Sequence, residues 1–303
     1  MADLTVLILT HNEQAHIARA LENVKPLAKA VIVIDSFSTD ATQKIASAKG
    51  STIVEHRFVN QAKQLQWAID HLEVTTEWVM RLDADEILSP ELIAELEVAL
   101  PRLDKGITGI CLRRKHIFLG RWIKHGGRYP ITLLRVWRRG TACVEQRWMD
   151  EHIILLQGRA VTASGTFSDH NLSGLTEFID KHNRYATREA VERLLSRFRL
   201  AAPSHEIFNP GNKQAAAKRW AKEKLFDRLP IWLGPSAYFA FRYFIQLGFL
   251  DGTEGLIYHV LQGFWYRFLV SSKIEEFTKK LCSVSGRDEK IAMLMVMAGI
   301  DEL

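Results

Sequence analysis

The stretch Trp78-Val79-Met80-Arg81-Leu82-Asp83-Ala84-Asp85-Glu86 decides the fold. Its apolar start has the length of a buried strand, and it closes on three acids. In an open α/β sheet, ligands gather at the carboxyl ends of parallel strands. Asp83 and Asp85 stand two apart and can present their carboxylates to one hard divalent cation. Mg²⁺ or Mn²⁺ takes such oxygen ligands and keeps positions for water and substrate phosphates. Ser89 as N-cap and Pro90 at the first helical position predict a helix over 90–100 directly afterwards.

Upstream, apolar runs at 4–9, 30–35 and 52–55 read as three more strands. Helices are expected between them over 13–24, 40–49 and 60–72. Asn12 is placed as the N-cap of the first, with Ile17, Leu21 and Val24 on its inner face. Asp40 with Gln43 reads as a capping box for the second, and Gly50 as its stop. Strands alternating with helices imply right-handed crossovers and a mainly parallel sheet. Asp35 then closes strand two and Asp83 closes strand four at the same sheet edge. Neither a Gly-x-Gly-x-x-Gly nor a Gly-x-x-x-x-Gly-Lys-Ser/Thr is present, which argues against a dinucleotide fold and a P-loop.

The 303 residues suffice for one large domain with an appendage, and 47% hydrophobic content supports a full core. The net charge of +5 is mild, so its distribution carries more information than its size. Cys111, Cys143 and Cys282 are far apart and show no metal spacing, which fits a reducing compartment. No basic segment precedes residues 4–9, and that run is too short for the apolar part of a secretory signal.

Thr10-His11-Asn12-Glu13, Asp35-Ser36-Phe37-Ser38-Thr39-Asp40-Ala41-Thr42 and Asp83-Ala84-Asp85, in this order, resemble the nucleotide-sugar half of a family 2 glycosyltransferase of GT-A fold. The branch most similar makes bacterial exopolysaccharide and lipopolysaccharide-core sugars. The resemblance covers essentially the whole chain and is strongest over 4–90. It implies that Thr10, His11, Asn12 and Glu13 line a uridine pocket. It also implies that Asp35 meets the uracil or ribose of a UDP-sugar. Lys63 and Gln64 fall where relatives place a basic-polar pair beside the donor, although the glycines often found before that pair are absent. Asp83 would face ribose and metal, and Asp85 would bind the Mg²⁺ or Mn²⁺. His170 is a candidate further ligand.

Residues 109–116 and 132–137 read as strands. From the end of the first strand to the second, basic residues interleave with aromatics and glycines, including Arg113, Arg121, His125 and Arg128. Arg and Lys suit a diphosphate, and aromatics suit sugar faces. The basic groups lie within a folded insertion, so nucleic acid is not expected. Transfer with inversion needs a carboxylate to take the acceptor hydroxyl's proton. The acidic motif at Asp150-Glu151-His152 resembles the family's base motif and offers Glu151 or Asp150. A salt bridge to Arg147 or Arg128 is the competing role. A short strand over 159–163 and a helix over 175–197 follow. On that helix Lys181, Arg184 and Arg188 share a face and are candidates for the acceptor's phosphates.

The catalytic domain is therefore expected over 1–202, with a nucleotide-sugar half at 1–100 and an acceptor half at 101–202. A basic linker helix at 203–228 carries Lys213, Lys218, Arg219, Lys222 and Lys224. Residues 229–303 are aromatic-rich helices. Neither 238–250 nor 256–270 reaches the ~20 apolar residues of a spanning helix. Their aromatic load beside single cations suits the membrane interface through 213–270, on the cytoplasmic face of a bacterial inner membrane. A buried helical subdomain or a homo-oligomer interface is the other reading of that surface, and a re-entrant or spanning hairpin is a third. The expected partners are a UDP-sugar and a lipid-linked glycan, either a polyprenyl-diphosphate oligosaccharide or the lipopolysaccharide core. A nucleotidyltransferase of related fold and a non-catalytic membrane scaffold are the rivals.

Overall fold

The computed structural model describes residues 1–145, 151–200 and 230–299. Two compact units result, Met1–Leu175 and Thr176–Leu303.

The first unit is built around β1 (Leu4–Thr10), which is buried along its whole length. β2 (Ala30–Asp35) and β4 (Trp78–Asp83) flank it in parallel, and β3 (Thr52–Glu55) lies beyond β2. Alternate residues of β1 serve two cores. Leu4, Val6 and Ile8 meet Ile17, Leu21, Met80, Leu92 and Leu96. Leu7 and Leu9 meet Leu65, Val79 and Trp137. Helices α1 (Ile17–Val24), α3 (Gln61–His71) and α4 (Pro90–Ala99) supply the covering layers, and α2 (Thr42–Ala48) precedes β3. A strand covered on both faces has no polar side, which is why β1 is apolar but for Thr5, whose hydroxyl pairs with Thr76, and Thr10, which donates to Asp35.

Past β4 the sheet changes character. β8 (Ile131–Arg138) pairs antiparallel to β4, and β6 (Ile107–Phe118) antiparallel to β8. β11 (Arg159–His170) runs parallel to β6, and β5 (Glu86–Leu88) closes the sheet antiparallel to β11. β7 (Arg121–Ile123) folds back on β6, while β9 (Ala142–Val144) and β10 (Ile153–Leu155) form a separate pair.

Three local expectations are corrected. The first helix starts at Ile17 and not at 13, because Asn12 adopts a left-handed φ of 56° and caps nothing. Its side chain accepts instead from Thr39 N at 2.8 Å. The capping box at Asp40 and Gln43 does not form. Asp40 accepts from Thr42 N at 2.9 Å, but Gln43 reaches Asp35 and Glu55. The strand expected to stop at 163 continues to His170 through a register shift between Thr162 and Thr166. Gly165 permits this course. A Cβ there would lie 2.6 Å from Leu92 Cα and 2.8 Å from Leu92 N, so α4 rests directly on the β11 backbone. Ser89 caps α4 as expected, accepting from Leu92 N at 3.2 Å.

The second unit is helical. α5 (Leu175–Arg197) buries Ala190, Val191, Leu194 and Leu195. α6 (Leu233–Ala240) runs into a π-helical turn, Phe241–Ile245, and a 3₁₀ turn follows at Gly248–Asp251. α7 (Gly252–Tyr258) passes through a second π turn, His259–Trp265, into α8 (Tyr266–Leu281), and α9 (Arg287–Ala298) completes the described chain. The buried face of α5 packs with Phe277, Leu281 and Leu294. That explains why a helix grouped by sequence with residues 1–202 clusters with the carboxyl-terminal helices. Among the described residues no helix is long and apolar enough to cross a membrane. The basic run at 213–224 lies outside the described residues.

Candidate active site

Parallel pairing brings the strand ends together. Thr10 stands opposite Asp35, and Leu9 opposite Asp83. Asp35 is fully buried, and the surrounding loop converges on it. Thr10 Oγ1 and Ser38 Oγ donate to Oδ1 at 2.8 and 2.6 Å, and Ser38 N and Gln43 Nε2 donate to Oδ2 at 2.7 Å each. Burial alone pushes this carboxyl upward, but the donors from Ser38, Gln43 and Thr10 overcome it and hold it below the usual range. In this arrangement the Asp35 carboxylate, expected to meet the uracil or ribose, clamps the loop beside it.

The 10–13 turn is pinned to the same loop. His11 Nδ1 donates to the Ser36 carbonyl at 2.9 Å, and Glu13 N donates to Thr42 Oγ1 at 2.7 Å. The side chains of His11 and Asn12 remain exposed. From α3, buried Gln64 donates to Ser36 Oγ at 2.6 Å, while Lys63 is exposed and its backbone N–H bonds Asn60. The expected basic-polar pair thus splits into a buried support and a solvent-facing cation.

At the end of β4 lies a charge cluster that the sequence reading missed in part. Arg81, 6% exposed, donates to Glu151 Oε1 at 2.9 Å and to Asp83 Oδ1 at 3.3 Å. Arg135 from β8 is equally buried; it bonds Glu86 Oε1 at 2.5 Å and approaches Asp83 Oδ2 at 3.6 Å. Glu86 Oε2 in turn accepts from Asp83 N at 3.0 Å. Burial pushes the Glu86 carboxyl up to about 8 against the pull of Arg135, with Asp83 and Asp169 adding to the rise. Asp83 is therefore fixed from three sides. The missed residues did leave a signal: Arg81 stands between Met80 and Leu82 and Arg135 between Leu134 and Val136, and a buried charge requires a partner.

Asp85 Oδ2 accepts from Asn171 Nδ2 at 3.0 Å, and its carbonyl accepts from His170 N at 2.9 Å. Asp83 and Asp85 together present hard oxygen donors beside the strand ends, the donor set that Mg²⁺ or Mn²⁺ takes with water and phosphate completing it. His170 fits that role poorly. Burial, with Arg19 and His16, lowers its pKa and favours the neutral ring, but Arg19 Nη1 lies 3.3 Å from Nδ1. A guanidinium only donates, so a cation on Nδ1 would have to displace Arg19. Among the described residues no three His, Cys, Asp or Glu side chains form a metal cluster.

Of the two candidate bases, Asp150 lies outside the described residues, as does Arg147. Glu151 is held by Arg81, a partner not among those expected for it. On β6, Arg114 and His116 face Asp169 at 3.7 and 3.1 Å. Strand alternation therefore sends Arg113 to the opposite face. Arg121 is exposed on β7, and Arg128 N bonds the His125 carbonyl in a turn with left-handed Gly126 and Gly127. Trp122 carries Lys115 and Lys124 over its ring at 4.9 and 5.4 Å. Lys181 and Arg184 belong to α5 of the second unit, where Lys181 lies over Tyr185 and Arg184 is exposed.

The family described as Glycosyl transferase family 2 matches residues 5–155, about half of the chain. The chain belongs to this family, and its α/β architecture is of the GT-A class. An uncharacterized glycosyltransferase of Rickettsia typhi is 38% identical over 97 residues, 32% of each chain. The chain thus spans about a third of the length of such curated relatives. The lipopolysaccharide core biosynthesis glycosyltransferase LpsC of Rhizobium meliloti is 25% identical over 199 residues, 64% of this chain and 72% of that protein. Among solved structures, glucosyl-3-phosphoglycerate synthase from Mycobacterium tuberculosis with Mn²⁺, UDP and glucosyl-3-phosphoglycerate is 19% identical with a TM-score of 0.40. That match covers 64% of this chain and 79% of that one.

Proposed function

We propose that this protein is an inverting glycosyltransferase that moves a sugar from a UDP-sugar to a lipid-linked glycan, with Mg²⁺ or Mn²⁺ as cofactor. The acceptor class is a polyprenyl-diphosphate oligosaccharide or lipopolysaccharide core, met at the cytoplasmic face of the inner membrane. One observation carries the reading: Asp83 ends β4 beside the ends of β1 and β2 at Thr10 and Asp35, Asp85 follows two residues on, and Arg81 bonds both Asp83 and Glu151. The name of the LpsC relative supports the acceptor class.

The exposed His11 and Asn12, on a loop that Asp35 holds from beneath, would line the nucleoside. Asp85, aided by Asp83, would hold the cation. That ion would supply charge neutralisation to the departing diphosphate. Glu151, oriented by Arg81, would accept the acceptor hydroxyl's proton as that oxygen bonds the anomeric carbon and the bond to UDP breaks. Arg114, Arg121 and Lys124 would offer cations to acceptor phosphates from the adjoining strands.

The test is UDP release by detergent-solubilised protein, with a panel of UDP-sugars, Mn²⁺ or Mg²⁺ and a lipid-linked oligosaccharide extract. Release that needs metal and lipid, and is lost in Asp85→Ala and Glu151→Ala, is the expected result. Full activity in Asp85→Ala without added chelator would remove the metal role. Pyrophosphate release from a nucleoside triphosphate and a sugar phosphate would replace transfer by nucleotidyl transfer.

A further inference from the structure

Residues 231–260 are built inside out. Their exposed residues are Ile231, Trp232, Ala237, Ala240, Phe241, Phe244, Ile245, Leu247, Phe249, Leu250, Thr253, Leu256 and Val260, so Thr253 alone is polar. Ile245 is 71% and Phe244 58% exposed. The ionisable residues take the other side. Arg242, Asp251 and His259 are buried, and Glu254 is half-buried. In water this inverts the usual distribution, because charged side chains are almost never the buried ones.

The interior is arranged to hold those polar groups. Arg242 Nη1 donates to Tyr238 Oη at 2.6 Å, and Arg267 lies over the same Tyr238 ring at 3.8 Å. Gly248 lets the turn close over the histidine: a Cβ there would meet His259 Nε2 at 2.6 Å. At Gly255 it would meet Asp251 Cβ at 2.5 Å. The glycines thus draw the 3₁₀ turn and α7 tightly around the charged centre, and the large apolar side chains point away from it.

We infer that this helical hairpin is a monotopic wedge whose tip, from Phe244 to Leu250, enters the acyl region of one membrane leaflet. The occupant of the apolar surface is lipid and not a second protein, because the exposed residues of 231–260 are apolar but for Thr253 and form no polar rim such as protein interfaces carry. Length sets the depth. The arm Leu233–Ile245 extends about 20 Å at ~1.5 Å per residue, short of the ~30 Å hydrocarbon core but ample for one leaflet. The non-α turns bond within themselves, Gln246 N donating to the Phe241 carbonyl at 2.9 Å and Leu250 N to the Leu247 carbonyl at 3.0 Å, as lipid requires of irregular backbone. This deepens the membrane reading given above and is independent of the transfer chemistry.

Flotation of the full-length protein with phosphatidylethanolamine–phosphatidylglycerol vesicles tests it, in low salt and in about 1 M NaCl, where charges are screened beyond about 3 Å. The variant is Phe244→Glu with Ile245→Glu, both at exposed positions, with unchanged far-UV circular dichroism as the folding control. A nitroxide on Ile245→Cys, read as the difference from the labelled parent, reports depth. The expected result is flotation in both salts, a loss of roughly tenfold or more in the double variant, and a label in the acyl region. Flotation that high salt abolishes, with the label at headgroup level, would overturn the wedge and leave peripheral binding standing. No flotation, together with self-association that the double variant abolishes, would overturn both.

Discussion

Replacing Arg81 by Met probes the charge cluster directly. The side chain is 7% exposed and lies 2.9 Å from Glu151 and 3.3 Å from Asp83. Methionine matches its apolar stem but removes the cation, leaving two nearby carboxylates with Arg135 as the neighbouring cation, 3.6 Å from Asp83. Breaking a buried pair on one side costs about 3–5 kcal/mol, mostly the penalty of the stranded charge. For a unit of this size that lowers Tm by roughly 10 °C, at about 2–4 °C per kcal/mol. Urea and thermal unfolding of the full-length protein measure it. The decisive comparison is a cycle with Glu151→Gln. Once Glu151 is neutral, much of the penalty for losing Arg81 disappears, so the double variant should be more stable than the sum of single effects by about 1–3 kcal/mol. Additivity within about 0.5 kcal/mol would show that the two side chains do not meet, and the placement of Glu151 at the strand ends would fall with it.

Asp35 governs the acid limb of stability. Its folded pKa is depressed, so its contribution is complete above the unfolded carboxylate value of about 3.9 and is lost as pH falls through the lower folded value. Asp35→Asn should therefore be destabilised at neutral pH and show a flatter stability profile in acid; an unchanged acid limb would contradict the four-donor clamp. Gly165→Ala forces a Cβ against the Leu92 backbone and should cost about 1–3 kcal/mol in a thermal melt. An unaltered Tm would mean that α4 does not rest on β11. Asp85→Asn should weaken Mn²⁺ affinity, measured by calorimetry in the presence of UDP, far more than His170→Gln does. The reverse order would restore the histidine as a ligand.

Much of the first unit was legible because its signals are local. The central parallel strands are covered on both faces, so the runs at 4–9, 30–35 and 78–83 are largely apolar, and β4 falls at Trp78–Asp83 as read. The start of α4 was legible for the same reason, since Ser89 and Pro90 act on their own turn. Asn12 misled because its amide serves a loop 27 residues away, and no nearby sequence encodes that choice. β11 was read short because its second half is paired on both edges, by β6 and β5, so that polar residues such as Ser168 and Asp169 remain in a strand.

The sequence by itself determined the alternation of strands and helices in the nucleotide half and the acids at its strand ends, since hydrophobic period and chain order suffice for both. Only the tertiary structure decided which charges meet. Arg81, Arg135, Glu86 and Glu151 come from separate strands and a loop, and pairing across a sheet depends on register. It alone also turned residues 231–260 inside out, because whether Arg242 is buried depends on how the two arms of the hairpin pack, with Arg267 of the second arm over the Tyr238 ring, not on the apolar count of either arm.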